Sequence, residues 1–300
     1  MSTHYRIQHY NNYNNQMKNL SLLTILLLAF IMLSCSQSAK EPTKVNIASF
    51  NLRMDTPRDS IDQWSNRKEM VKGLIRFHDF DIFGTQEGFK HQLDDILELD
   101  EYAYVGGGRD DGKDAGEHSA IFYKKERFDV INNGDFWFAE NPDVPGKGWD
   151  ATCCNRICSW VHLKELKSGK ELFIFNSHYD HEGKEARKNS SLLLLKKVKE
   201  LAGDKPVFCT GDFNADPNSE PIQTIYNDGS LKDSYLISEQ KPYGTEGTFN
   251  SFNIHHTSKS RIDYIWVTEG IKVNKYGVLN EIQYGHFPSD HFPVMIQAEL

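Results

Sequence analysis

The chain has 300 residues, 39% of them hydrophobic and 25% charged, which is enough to bury a sizeable core and excludes a peptide hormone or a small zinc module. Its 34 Lys and Arg stand against 42 Asp and Glu, a formal charge of −8. That balance argues against a protein held on nucleic acid by bulk electrostatics, while still allowing a nuclease whose positive charge is a metal ion.

The first element in chain order reads as an export signal. Leu20–Leu33 reads LSLLTILLLAFIML, 14 residues without a charge, short of the roughly 20 that cross a bilayer as one helix. Lys18 precedes it and Ser34-Cys35 closes it. A basic start, an apolar centre and a small residue before Cys describe a bacterial lipoprotein signal, with Cys35 as the lipidated first residue of the mature chain. The polar, Asn- and Tyr-rich stretch 1–16 is foreign to such a signal, so Met17 is the more natural start. The expected organisation is a signal over 1–35, a tether over 36–43 and one domain over 44–300. The expected location is the periplasm or the outer membrane, with membrane attachment through Cys35. Losing residues 1–35 removes Arg6 and Lys18 and brings the formal charge to about −10. Outside the cytoplasm disulfides are allowed. One bridge from Cys158 to Cys153 or Cys154 is open, and Cys209, inside the apolar run PVFCT, reads as a buried thiol.

The pattern then alternates between strands and helices. Residues 45–50 alternate as a strand, and 62–77 carries Trp64, Met70, Val71, Leu74 and Ile75 at helical spacing. Short strands follow at 81–85, 119–123, 159–163 and 172–176, a Leu-rich helix at 191–201, a strand at 206–210 and a short helix at 220–226. Late strands cover 261–267 and 292–298. The segments Gly106–Gly116 and Gly244–Gly247 read as loops, and the first lacks the GxGxxG spacing of a nucleotide-binding turn. There is no repeat and no composition break after residue 44, so the chain reads as a single domain of about 255 residues, built of stacked sheets with helices outside.

The informative feature is where the strands stop. They end in Asn51-Leu52-Arg53, in Gln86-Glu87, in Asn176-Ser177-His178-Tyr179-Asp180-His181 and in Gly211-Asp212-Phe213-Asn214. Ser289-Asp290-His291 directly precedes the last strand, and Asp263 lies inside RIDYIW. Apolar strands that each deliver an acid, an amide or an imidazole imply convergence on one edge. The donors are oxygen and nitrogen without thiolate, which favours Mg²⁺ or Mn²⁺ over structural zinc. Such an ion beside His and Asp suits hydrolysis of a phosphate ester.

This set of motifs, NLR, QE, NSHYDH, GDFN, RIDYIW and SDH, resembles the endonuclease/exonuclease/phosphatase superfamily from Val45 to Leu300, in order and in spacing. The subgroup looks like secreted or lipoprotein members from Bacteroidetes-type bacteria. The resemblance implies the deoxyribonuclease I-like α/β fold: a four-layer sandwich of two mainly antiparallel sheets with helices outside. It implies Glu87 as the main carboxylate ligand of Mg²⁺, with Asn51 beside it and Asp290 completing the shell. Asp212 is then the residue that orients or deprotonates the attacking water, and Asn214 holds the phosphate or that water. His291 bonds a phosphoryl oxygen with Asp263 behind it. His178 is the second imidazole, and Glu117 is the candidate for its acidic partner. Arg53, Arg156 and His181 are candidates for substrate contact.

The expected activity is metal-dependent phosphoester hydrolysis by a monomer, with a slight preference for a phosphodiester. No basic stripe with interleaved aromatics appears, so a small or lipid-derived phosphate ester is preferred over duplex DNA. Two other readings stay open: a surface nuclease acting on DNA or RNA, and a non-catalytic binding module on the same fold.

Overall fold

The computed structural model describes residues 9–22, 24, 42–256 and 259–300. It divides into two compact units, Met1–Pro42 and Thr43–Leu300. In the first, residues 9–22 are helical and exposed. Cys35 and most of the expected signal and tether lie outside the described residues. No described helix is long and apolar enough to cross a membrane.

The second unit contains twelve strands and five α-helices among its described residues. Its first half runs β1 (Lys44–Asn51), α1 (Trp64–Phe77), β2 (Ile82–Gln86), α2 (Lys90–Ile96), β3 (Tyr102–Val105), β4 (Ile121–Lys124), β5 (Phe128–Trp137) and β6 (Ile157–Glu165). The second half runs β7 (Glu171–His178), α3 (Lys184–Ala202), β8 (Val207–Asp212), α4 (Glu220–Asp228), β9 (Leu231–Asp233), α5 (Ser234–Ile237), β10 (Asp263–Thr268), β11 (Lys272–Val278) and β12 (Val294–Glu299).

Two six-stranded sheets form, in the orders β11-β12-β1-β2-β4-β3 and β5-β6-β7-β8-β10-β9. Each has one parallel pair at its centre, β1 with β2 and β7 with β8, and the remaining pairs are antiparallel. This is the expected four-layer sandwich. Val45, Ile47, Ile82, Ile174, Phe208 and Ile265 fill the space between the sheets. Ala48, Phe50 and Phe83 turn outward to meet Val71, Leu74 and Ile75 of α1. Phe175, Cys209 and Trp266 turn outward from the other sheet to meet Leu194 and Val198 of α3.

Side chains alternate faces along a strand, so every second residue of each central strand faces the opposite sheet. Along β1 that series is Val45, Ile47, Ser49, Asn51; along β7 it is Leu172, Ile174, Asn176, His178; along β8 it is Phe208, Thr210, Asp212. Each series starts apolar and ends polar at the carboxyl end of its strand. The space between the sheets is therefore a hydrophobic core at one end and a reactive cleft at the other. A buried network marks the changeover. Gln86 Nε2 donates to Asn176 Oδ1 at 2.6 Å, and Thr210 Oγ1 donates to the same oxygen at 3.0 Å. Asn176 Nδ2 donates to the carbonyls of Thr85 and Ala120 at 2.8 and 2.9 Å. Gly84 makes room for this network, since a Cβ there would lie 2.3 Å from both Asn176 Oδ1 and Thr210 Oγ1.

The bridge to Cys158 that the sequence left open does not form. Cys153 and Cys154 are bonded to each other, while Cys158 is a free thiol buried in β6, where Ser177 Oγ lies 3.4 Å from its sulfur. The strand holds Cys158 in the helix-facing core, away from the loop that carries the other two. Cys209 is free and buried as expected.

Candidate active site

A cleft of about 420 Å³ opens at the carboxyl ends of the central strands. Arg53, Glu87, Glu117, Arg156, His178, His181, Asp212, Asn214, Asp290 and His291 all line it. Asn51 and Asp263 sit directly behind this lining and act on it by contact. Every sequence-derived candidate of the domain is thus either in the cleft wall or touching it.

One wall is acidic. Asn51 Nδ2 donates to Glu87 Oε1 and to Asp212 Oδ2, both at 3.0 Å, which ties the ends of β1, β2 and β8 together. Its Oδ1 accepts from the backbone N–H of Arg53 at 2.9 Å. Glu87 Oε2 accepts from Met54 N at 3.1 Å. Arg53 forms a two-pronged pair with Asp59, at 2.9 and 2.8 Å, and stands 3.9 Å from Glu87 and 3.8 Å from Asp290. Burial opposes charge on Glu87, but His291, Asn51, Met54 N and Arg53 outweigh it and hold its pKa low. Asp212 and Asp290 go the other way. Burial, and for Asp212 the neighbouring Asp263, pushes Asp212 up to about 7. Burial, with the repulsion of Glu87 added, pushes Asp290 up to about 6 despite His291 and Arg53.

Carboxylates crowded in this way fit a bound cation, and their hard oxygen donors suit a divalent ion. Glu87, His178 and Asp212 each offer a ligand atom, all within 4.8 Å of one another, and Asp212, Asp263 and His291 form a second such group. A divalent-metal-binding site is present in the cleft.

The two imidazoles have opposite surroundings. Asp263 Oδ2 lies 2.9 Å from His291 Nδ1, and His291 Nε2 lies 3.8 Å from Asp212 Oδ2. Burial disfavours charge on His291, but Asp263, Asp212 and Asp290 overcome it and raise its pKa well above the ordinary value. Both ring nitrogens of His291 are then donors. His178 Nδ1 lies 3.8 Å from Glu117 Oε2, and its Nε2 lies 3.7 Å from Asp212 Oδ2. Burial, then Arg156 and Arg109, lowers the pKa of His178 well below the ordinary value. Its expected acidic partner is shared, because Glu117 Oε2 accepts from Arg109 Nη1 at 2.6 Å. His118 faces elsewhere and bonds the carbonyls of Gly88 and Lys113.

The second wall is cationic. Arg156 Nη2 lies 2.7 Å from His181 Nδ1, and its Nε lies 3.5 Å from Asp180 Oδ2. Asp180 Oδ1 in turn accepts from the N–H groups of Glu182 and Gly183 and fixes the turn into α3. The Nε atoms of Arg109 and Arg156 are buried without a hydrogen-bond partner.

Three cleft residues hold left-handed backbone without being glycine: Arg53 at φ 57°, Glu87 at 63° and Asn214 at 45°. Such conformations cost about 1–3 kcal/mol each and concentrate where a site over-determines the chain. For Asn214 the constraint is visible: its N–H donates to Asp212 Oδ1 at 2.9 Å and its Nδ2 to the Tyr179 carbonyl at 3.0 Å.

Sequence reading missed Arg109, Phe249 and the paired Cys153 and Cys154 as cleft residues. Arg109 lies in the loop Gly106–Gly116, whose sequence marks a loop at the site without singling out one residue. Phe249 packs edge-on against His291, with ring centroids 5.0 Å apart, from a loop with no periodic signal.

The sequence profile of the Endonuclease/Exonuclease/phosphatase family matches residues 48–291. A crystal structure of an endonuclease/exonuclease/phosphatase family protein from Bacteroides thetaiotaomicron is 46% identical, with a TM-score of 0.84 over 86% of this chain and 98% of that one. A mannosyl-6-phosphatase from Bacteroides thetaiotaomicron VPI-5482 is 45% identical, with a TM-score of 0.82 over 85% of this chain and 100% of that one. An endonuclease/exonuclease/phosphatase from Bacteroides vulgatus is 39% identical, with a TM-score of 0.83 over 86% and 99%.

Proposed function

Because this chain belongs to the Endonuclease/Exonuclease/phosphatase family and carries metal-binding clusters suited to phosphoester hydrolysis, we propose that its substrate is a small phosphate monoester, with sugar phosphates as the first class. The observation that carries this reading is the cationic wall of Arg109 and Arg156, with His181 beside them, opposite the acidic one. A monoester dianion has one more charge than a diester and gains more from such a wall. The 45% identical mannosyl-6-phosphatase points the same way, and it moves the reading from the diester favoured by sequence alone. The formal charge of about −10 after residue 35 gives no support to a duplex-DNA substrate.

Glu87 and Asp290 are the proposed metal ligands, oriented by Asn51, and Mg²⁺ is the proposed ion, with Mn²⁺ as a substitute. When bound, such an ion withdraws charge from the phosphoryl oxygens. Asp212, with its raised affinity for a proton, accepts one from the attacking water. His291, kept protonated by Asp263, donates to a phosphoryl oxygen as negative charge develops. His178 and Asn214 hold the same group in place, and Arg156 with His181 binds its outer oxygens. We also propose export, lipidation at Cys35, attachment in the periplasm or at the outer membrane, and action as a monomer.

The test is kcat/KM at one salt concentration for mannose 6-phosphate and other sugar phosphates, bis(p-nitrophenyl) phosphate, sphingomyelin, short oligonucleotides and plasmid DNA. A sugar phosphate is expected to rank first. Efficient plasmid degradation without turnover of the small esters would replace this reading with a surface nuclease. No turnover of any substrate with Mg²⁺ or Mn²⁺ would leave a binding module.

A further inference from the structure

Arg67 lies on α1, outside the cleft lining, and is fully buried. A buried guanidinium needs compensation, and here it comes almost entirely from backbone carbonyls. Nη1 donates to Leu52 O at 2.9 Å and to Pro288 O at 2.5 Å. Nη2 donates to Arg53 O at 3.2 Å, and Nε donates to Asp62 O at 2.5 Å. The guanidinium carbon lies 5.5 Å from the centre of the Trp64 ring and 5.2 Å from that of Phe252. Burial pulls its pKa down to about 10, against the pull of Asp290, Asp59 and Asp62, so it stays charged at neutral pH.

The carbonyls it gathers belong to two segments far apart in sequence. Leu52 and Arg53 follow Asn51, and Pro288 precedes Asp290 by two residues. Two carbonyl oxygens converge on the single nitrogen Nη1. Without that nitrogen they would repel each other, and the segments bearing Asn51 and Asp290 would separate. Two further ties join these segments: Ser289 Oγ donates to Asn51 O at 2.6 Å, and Arg53 Nε lies 3.8 Å from Asp290 Oδ2. A lysine cannot replace this arrangement, because its ammonium is a single point charge whereas the planar fork reaches several acceptors in fixed directions.

We infer that Arg67 is a positioning residue for the metal site, setting the spacing between the Asn51 and Asp290 segments through their backbone carbonyls. The inference rests on the metal-dependent reading above. Partners that orient metal ligands typically change metal affinity by about 10–100-fold when they are replaced.

The test compares the wild-type chain, Arg67→Lys, Arg67→Gln and Ile75→Ala. Mn²⁺ affinity is measured by calorimetry, and melting temperature with and without Mn²⁺. Ile75 is buried on the same helix, packed against the sheet, so its truncation reports plain destabilisation. The expected result is Mn²⁺ affinity weakened about 10-fold or more in the Arg67 variants and unchanged in Ile75→Ala, with substrate KM at saturating metal within about twofold of wild type. An Arg67 variant that melts lower but binds Mn²⁺ like wild type would overturn the inference. Failure of both Arg67 variants to fold would also overturn it, by assigning Arg67 to fold formation. Absence of Mn²⁺ binding by the wild-type chain would instead reject the metal-dependent reading itself.

Discussion

Asp263 and His291 are expected to act as one unit. Asp263 Oδ2 contacts His291 Nδ1 at 2.9 Å, and both side chains are at least 95% buried. The other carboxylate oxygen of Asp263 has no hydrogen-bond partner, so the imidazolium is its main compensation. A hydrogen bond between charged groups contributes about 1.5–3 kcal/mol, and removing one partner of a buried pair costs about 3–5 kcal/mol because the other charge is stranded. At about 1.4 kcal/mol per factor of ten, a loss of about 3 kcal/mol lowers the rate about 10²-fold. Asp263→Asn and His291→Ala should each lower kcat/KM by about that factor or more. The double variant should lose only a few-fold beyond the worse single one, giving a coupling near 3 kcal/mol. The assay is phosphate release from a sugar phosphate at saturating Mg²⁺, with circular dichroism as the check on folding. Independent, multiplicative losses in folded variants would refute the pairing as the source of His291 function.

Metal affinity should strengthen as pH rises, because Asp290 and Asp212 hold protons up to about 6 and about 7 and an incoming ion must displace them. The dissociation constant, measured by calorimetry, should fall across that range and level off above it; a flat profile would show that neither carboxylate changes protonation on binding. Arg109→Met should raise KM for a phosphate monoester several-fold more than for bis(p-nitrophenyl) phosphate, and equal changes would remove Arg109 from substrate charge recognition. Gly84→Ala should destabilise the fold by about 1–3 kcal/mol through overpacking, since its Cβ would meet Asn176 and Thr210 at 2.3 Å; an unchanged melting temperature would show that the network yields.

The central strands and the cleft they carry were legible in the sequence for one physical reason. Each central strand runs apolar and then polar, so the pattern locates both the core and the place where the core ends. Glu87, His178 and Asp212 could be found that way, and His291 by the converse, as the polar residue just before antiparallel β12. Strand β5, FDVINNGDFW, could not, because an edge strand with much of its length in solvent needs no apolar alternation. Strand β11, KVNKYGV, likewise has polar residues inside it and lies at the edge of the other sheet. Arg109 was hidden because its role depends on a loop folding back to place it beside Glu117. Arg67 is, in sequence, one polar residue of an amphipathic helix, and only the fold shows the carbonyls that surround it. The cysteine pairing turned on which face of β6 Cys158 occupies, a fact of register that spacing does not contain.

The most direct measurement is phosphate release from mannose 6-phosphate by the wild-type chain and Glu87→Gln, each with Mg²⁺ and with excess EDTA. Turnover by the wild type with Mg²⁺, its loss in EDTA, recovery on adding Mg²⁺ back, and little activity in Glu87→Gln are the expected results. Undiminished turnover in excess EDTA, or a Glu87→Gln variant as active as wild type at the same Mg²⁺ concentration, would contradict metal-dependent hydrolysis at this site.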